Sequence, residues 1–168
     1  MRIRKGWLIF AAVGGAFGLY AAGYSPPKYI IYNPTESVPP GFYWIERGTM
    51  PQVGDFALIA PPEDAAALLA ARGYLPRGLP LVKPIAAAEG DTICRDGERV
   101  TVNGRAIAAA LPQDDQGRDL PVWTGCRQLH KGEYFALSTY HPHSLDGRYF
   151  GPWQAANIIG KADPLWTQ

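Results

Sequence analysis

Short apolar runs separated by glycine- and proline-rich breaks make up most of this chain, with two exceptions. At the N-terminus, residues 6–27 carry no charge, and WLIFAAVGGAFGLYAAGY within them is apolar almost throughout. At 62–72, PEDAAALLAAR places acids in its first turn and is followed by Gly73, which predicts one short helix. Elsewhere the runs at 28–32 (KYIIY), 41–45 (GFYWI), 56–60 (FALIA), 81–85 (LVKPI), 99–102, 134–137 and 157–159 predict strands. They are short, bounded by turns and rich in β-branched and aromatic residues. Asp96-Gly97 and Asn103-Gly104 are hairpin signals, so 92–107 predicts hairpin structure. Residues 106–125, rich in Pro, Asp and Gly, predict a surface loop. The expectation is a mostly β fold with one short helix, preceded by an N-terminal hydrophobic helix, without a domain boundary inside 28–168.

The uncharged N-terminal run follows Arg2, Arg4 and Lys5, a basic head of the kind that sets membrane topology. Its short core and the Ala-Ala-Gly at 21–23 fit a cleaved export signal, whereas its length, close to the ~20 residues that span a bilayer, fits a retained anchor. Both readings stay open, with the balance on an anchor. Either one divides the chain into a signal or anchor at 1–27 and an extracytoplasmic domain at 28–168. Composition agrees: 47% of the 168 residues are hydrophobic, which excludes disorder, and the net charge is +1. Three of the 16 basic residues lie in the head, so the body carries 13 against 15 acids, a net of −2. A near-neutral body of scattered charge offers no face for nucleic acid.

The two cysteines, Cys94 and Cys126, suit an oxidising compartment, where one disulfide would close a loop of about thirty residues for ~3–4 kcal/mol. Two buried free thiols are the alternative. No CxxC pair, HExxH or spaced ligand set points to a metal.

Three segments carry candidate chemistry. In NPTESVPPGFY at 33–43, Ser37 lies between a strand and a Pro-Pro-Gly turn, and taken alone it reads as a turn residue. In LVKPI, Lys83 shares a strand face with Leu81 and Ile85, and Pro84 forces it into an extended conformation. Desolvation there would lower its pKa and make the amine a base. The ordinary alternatives are a lysine snorkelling to water or paired with a carboxylate. In SLDGRYFGP at 144–152, Asp146 and Arg148 share a face if extended and would brace a loop, with the Ser144 hydroxyl nearby.

A serine, a lysine in an apolar strand leading to Gly90-Asp91, and Ser-x-Asp-x-Arg-Tyr-Phe-Gly, behind one hydrophobic segment, together resemble the type I signal peptidase family with its Ser/Lys dyad. The spelling Asn33, Thr35, Ser37, Pro39, Gly41, Tyr43 is most similar to the TraF-type conjugative-transfer branch, which processes pilin precursors; Arg72-Gly-Tyr-Leu-Pro76 and Gly125-Cys126-Arg127 extend the likeness over essentially the whole chain. The resemblance implies Ser37 as nucleophile and Lys83 as general base. Thr35 would assist the oxyanion hole beside the Ser37 N–H, Ser144 would orient the lysine, and Arg148 would pair with Asp146. In that branch an aspartate here is implicated in activity, so Asp146 joins the candidate catalytic residues. The implied substrate is an exported, pilin-like precursor bound as an added strand, with small residues such as Ala before the cut bond; no cofactor is implied. The implied location is the bacterial inner membrane with the domain in the periplasm, or the periplasm itself if 1–27 is cleaved. Trp44, Trp153 and Trp166 are candidates for the membrane interface. Cyclisation, in which the substrate's own amine attacks the acyl-enzyme, is a further possibility of this branch. Two departures stand out: Gly147 occupies a position that is Ser in most relatives, and only Gly90-Asp91 remains of the usual Gly-x-Pro-Gly-Asp. His141 and His143 offer a rival base, read instead as a loop feature. The second function class is a non-catalytic periplasmic assembly factor of a conjugation or secretion system.

Overall fold

The computed structural model describes residues 30–168; the N-terminal signal or anchor expectation lies outside them. Among the described residues, eleven strands form two sheets. β1 (Ile30–Asn33), β2 (Gly41–Arg47), β3 (Phe56–Ile59), β4 (Leu81–Ala87), β9 (Glu133–Ala136), β10 (Trp153–Gln154) and β11 (Ile158–Thr167) build a seven-stranded sheet ordered β1-β2-β11-β3-β4-β9-β10. β5 (Thr92–Asp96), β6 (Arg99–Val102), β7 (Arg105–Ala109) and β8 (Gly125–Gln128) build a four-stranded sheet ordered β7-β6-β5-β8. The helix α1 (Glu63–Ala71) joins β3 to β4, and a single turn α2 (Gly147–Phe150) precedes β10.

Every strand run read from the sequence lies wholly or partly within a strand, and the longest discrepancy is informative. Apolarity at 157–159 predicted three residues, yet β11 continues for ten because it is inserted between β2 and β3, pairing with both. A central strand takes its hydrogen bonds from two neighbours, which overrides the breaking tendency of Gly160, Asp163 and Pro164; the bulge between Pro164 and Trp166 absorbs the proline. Asn103-Gly104 forms the β6–β7 turn with both φ values positive, +50° and +79°, as a two-residue hairpin of this type requires. The predicted loop is shorter than expected, since β7 runs into it as far as Ala109. β8 was not visible in the sequence because all four of its residues are exposed. It lies against β5 with Cys94 directly opposite Cys126, and those two sulfurs form the disulfide.

Alternation along β3 and β4 feeds two cores. Leu58 and Val82 join Val38, Tyr43, Ile45 and Ala162, while Ala57, Ile59 and Ile85 join Ala136, Trp153 and Ile158. A third cluster, including Ile93, Val100, Leu129, Phe135 and Tyr149, ties the small sheet to the large one. Full burial of a side chain such as Val38 stabilises by about 1.5–3 kcal/mol, which anchors the segment beside it. Trp153 is thus a core residue and not an interface anchor, whereas Trp44 and Trp166 are exposed.

Candidate active site

The loop between β1 and β2 gives each residue of the 33–43 spelling a task. Asn33 Nδ2 donates to the carbonyls of Thr35 (2.7 Å) and Val38 (3.3 Å), and its Oδ1 accepts from Thr35 Oγ1 at 2.8 Å. With the threonine proton directed to that oxygen, Ser37 Oγ becomes the donor in its 3.0 Å contact with Thr35 Oγ1. Tyr43 donates to the Pro39 carbonyl at 2.6 Å and holds the proline turn; its burial, reinforced by Tyr140, pushes its pKa up to about 12. Gly41, at φ +148°, lets β11 approach: a Cβ there would stand 2.1 Å from the Trp166 carbonyl oxygen.

Lys83 lies on β4 opposite Ala57 and is only 3% exposed. Its Nζ donates to Ser144 Oγ at 2.8 Å, and Ser144 is itself buried. Burial pulls the amine down from 10.5 to about 8; Asp146 opposes that shift and Arg148 adds to it. Ser37, Thr35, Lys83 and Ser144 line one open cavity of about 300 Å³, together with Leu69, Tyr74, Leu75 and Leu145. Ser37 and Lys83 face that cavity without a direct hydrogen bond between them; apo sites commonly tighten only when substrate binds.

Asp146 and Arg148 are paired as expected, with Nε to Oδ1 at 2.9 Å and both side chains buried. The segment is not extended, however. Asp146 caps α2, its carboxylate accepting the Arg148 backbone N–H at 3.1 Å, so the pair forms at the start of a helical turn. The other Asp146 oxygen accepts from the Ser138 N–H at 2.9 Å, and Arg148 donates to the carbonyls of Ser138 and Pro142 (2.8 Å). Ser138 Oγ in turn donates to the Ser37 carbonyl. Ser138, fully buried, therefore links the ion pair to the candidate nucleophile. The sequence offered no signal for it, since a lone serine after an apolar strand resembles any strand end.

His141 and His143 sit on the cavity rim, facing Glu36 at 3.7 Å and Asp115 at 2.5 Å. Lys83 bonds to Ser144 and to neither imidazole. Tyr74 was another residue that the sequence reading did not assign to the site. It follows α1, where Gly73 takes φ +74° and the N–H groups of Tyr74 and Leu75 return to the Leu69 carbonyl.

Among known proteins, the chain is 30% identical over 168 residues to the plasmid transfer protein TraF of Escherichia coli, covering 94% of each. It is 34% identical over 170 residues to a probable conjugal transfer protein TraF of Sinorhizobium fredii, covering 95% of this chain and 86% of that one. The solved structure of a signal peptidase I from Enterococcus faecalis aligns with TM-score 0.39 and 17% identity, over 67% of this chain and 97% of that one. Residues 2–166 match the family model described as signal peptidase, peptidase S26, and the chain belongs to that family.

Proposed function

We propose that this chain is a serine endopeptidase that cuts exported, pilin-like precursors, with Ser37 as nucleophile and neutral Lys83 as general base. The observation that carries this reading is the buried Lys83 amine, held on Ser144 at 2.8 Å and facing the cavity that Ser37 also lines. A lysine poised near 8 is neutral in a useful fraction of molecules around neutral pH. The amine takes the Ser37 proton as the hydroxyl attacks the peptide carbonyl, then passes it to the leaving amine. The Ser37 backbone N–H receives the developing oxyanion. The Thr35 hydroxyl joins it once it turns from Asn33, and such a donor is worth ~3–4 kcal/mol in comparable enzymes. Asp146 and Arg148 act by holding the 138–148 segment against this loop. The pilin-like substrate is supported by the plasmid and conjugal transfer names of the relatives.

The same reading puts the domain on the periplasmic face of the inner membrane. Tyr32, Phe42 and Trp166 are neighbours in register across β1, β2 and β11, with Ile30 opposite Trp44 beside them, and all are exposed. Aromatic side chains grouped in this way favour the headgroup region.

Co-expression with conjugative pilin precursors tests the reading. The unaltered chain is expected to yield mature masses and Ser37→Ala only precursor; processing unchanged in Ser37→Ala overturns the proposal. A product lighter by one water than the linear mature form identifies cyclisation.

A further inference from the structure

The Arg72-Gly-Tyr-Leu-Pro76 stretch has no part in the dyad, yet its side chains are tethered across the cavity wall to a distant loop. Asp114, on the loop after β7, is the tether. Its Oδ2 accepts from Tyr74 OH (2.7 Å) and Arg118 Nε (2.7 Å), with Arg72 Nη1 at 3.4 Å. Its Oδ1 accepts the N–H groups of Gln116 and Arg118, both at 2.9 Å. Arg118 also donates to Tyr74 OH at 3.1 Å and stacks over the ring at 5.4 Å. Arg72 Nη2 reaches the Asp119 carbonyl at 2.7 Å. Two distant excursions of the chain thus converge on one phenol ring.

That ring stands where two spaces meet. On one side is the cavity containing Lys83 and Ser144; on the other is a larger, mainly apolar groove of about 490 Å³, running between β1 and the start of β4 past Leu79 and Leu81. Ser37 and Thr35 border both spaces, and Tyr74 and Leu75 do so as well. An extended peptide passing from the groove to Ser37 would send alternate side chains to one face, so its first and third residues before the cut bond face alike. A ring held by two hydrogen bonds and a cation–π contact, to partners that are themselves ion-paired, cannot swing aside for a large side chain as a free tyrosine would.

We propose that Tyr74, clamped by Asp114 and Arg118, is a specificity-determining residue that limits the size of the precursor side chains beside the scissile bond. This rests on the peptidase reading and adds to it the origin of a preference for small residues. The clamp also explains why Arg72 and Tyr74 occur together: Arg72 holds Asp114 and its loop in place while Tyr74 forms the wall.

The test measures kcat/KM of the full chain on precursor peptides that differ only at the first and third residues before the cut, Ala being replaced by Val, Leu or Phe. Tyr74→Ala is expected to reduce the preference for Ala over Leu at least tenfold. Tyr74→Phe and Asp114→Asn keep the ring and loosen its tether, and each is expected to reduce that preference about threefold. A ratio unchanged in Tyr74→Ala overturns the inference; if that variant does not fold, an unchanged ratio in both Asp114→Asn and Tyr74→Leu does so. Peptides cut equally well by the unaltered chain and by Ser37→Ala overturn the peptidase reading and this inference with it. A flat ratio with Ser37-dependent cleavage overturns only the inference.

Discussion

Lys83 is held between opposing influences. Desolvation disfavours its charge, Asp146 favours it, and the balance leaves the amine near 8 instead of 10.5. The neutral fraction grows with pH, so kcat/KM is expected to rise through an inflection near 8; a pH–rate profile rising only near 10.5 would refute the assignment. Stability follows the same linkage. The contribution of the neutral amine is fully present above 10.5, the unfolded value, and is lost as pH falls to about 8, below which a buried ammonium remains as a constant penalty. Lys83→Met is therefore expected to abolish cleavage while raising unfolding free energy at pH 7 by about 1–3 kcal/mol, measured by chemical denaturation. A lysine kept solely for stability would give the opposite sign.

At the scale of elements, α2 explains the departure at Gly147. A Cβ added there would lie 2.7 Å from both the Ala136 carbonyl oxygen and the Phe135 ring, so this turn packs onto β9 without room for a side chain. Gly147→Ser is expected to destabilise by about 1–3 kcal/mol, read as a lower denaturant midpoint, because β9 and the Asp146 cap must separate. Nothing in the sequence announced that packing, since it depends on which strand α2 meets. What was legible is equally specific. The strand runs, α1 and the hairpin turns are set by local alternation, caps and turn residues, and the structure contains them. Ser37, Thr35, Lys83 and Ser144 were legible as candidates from the order of their motifs, and they line a common cavity. Ser138, Tyr74 and Asp114 were not legible because each gains its place from partners 40 or more residues away: the Ser37 carbonyl for Ser138, and one another for the other two. The full length of β11 was hidden for a related reason, its two partner strands being remote in sequence.

At the scale of the whole molecule, the site is assembled from a loop near the start of the described chain, a central strand and a late helical turn. It therefore exists only once long-range pairing is complete. The exposed aromatic face lies on β1, β2 and β11, and β1 is the strand that follows residues 1–29. In a Trp7→Phe background, brominated lipids are expected to quench tryptophan fluorescence of the membrane-bound chain. Trp166→Phe should remove roughly half of that quenching, as one of two exposed tryptophans among the described residues, and Trp153→Phe almost none. Equal losses from the two substitutions would argue against this face as the contact.

The link from Asp146 through Ser138 to the Ser37 carbonyl has a consequence for how mutational data on this protein should be read. An alanine scan scored only by product formation would rank Asp146 with the proposed pair of Ser37 and Lys83, although its hydrogen bonds run to Ser138 and Arg148 and to neither Ser37 nor Lys83. On the proposed reading such a residue works as a foundation does: its removal is expected to displace the Ser37 loop and to withdraw the support Asp146 gives to the charged Lys83 amine, without taking away a group that makes or breaks a bond.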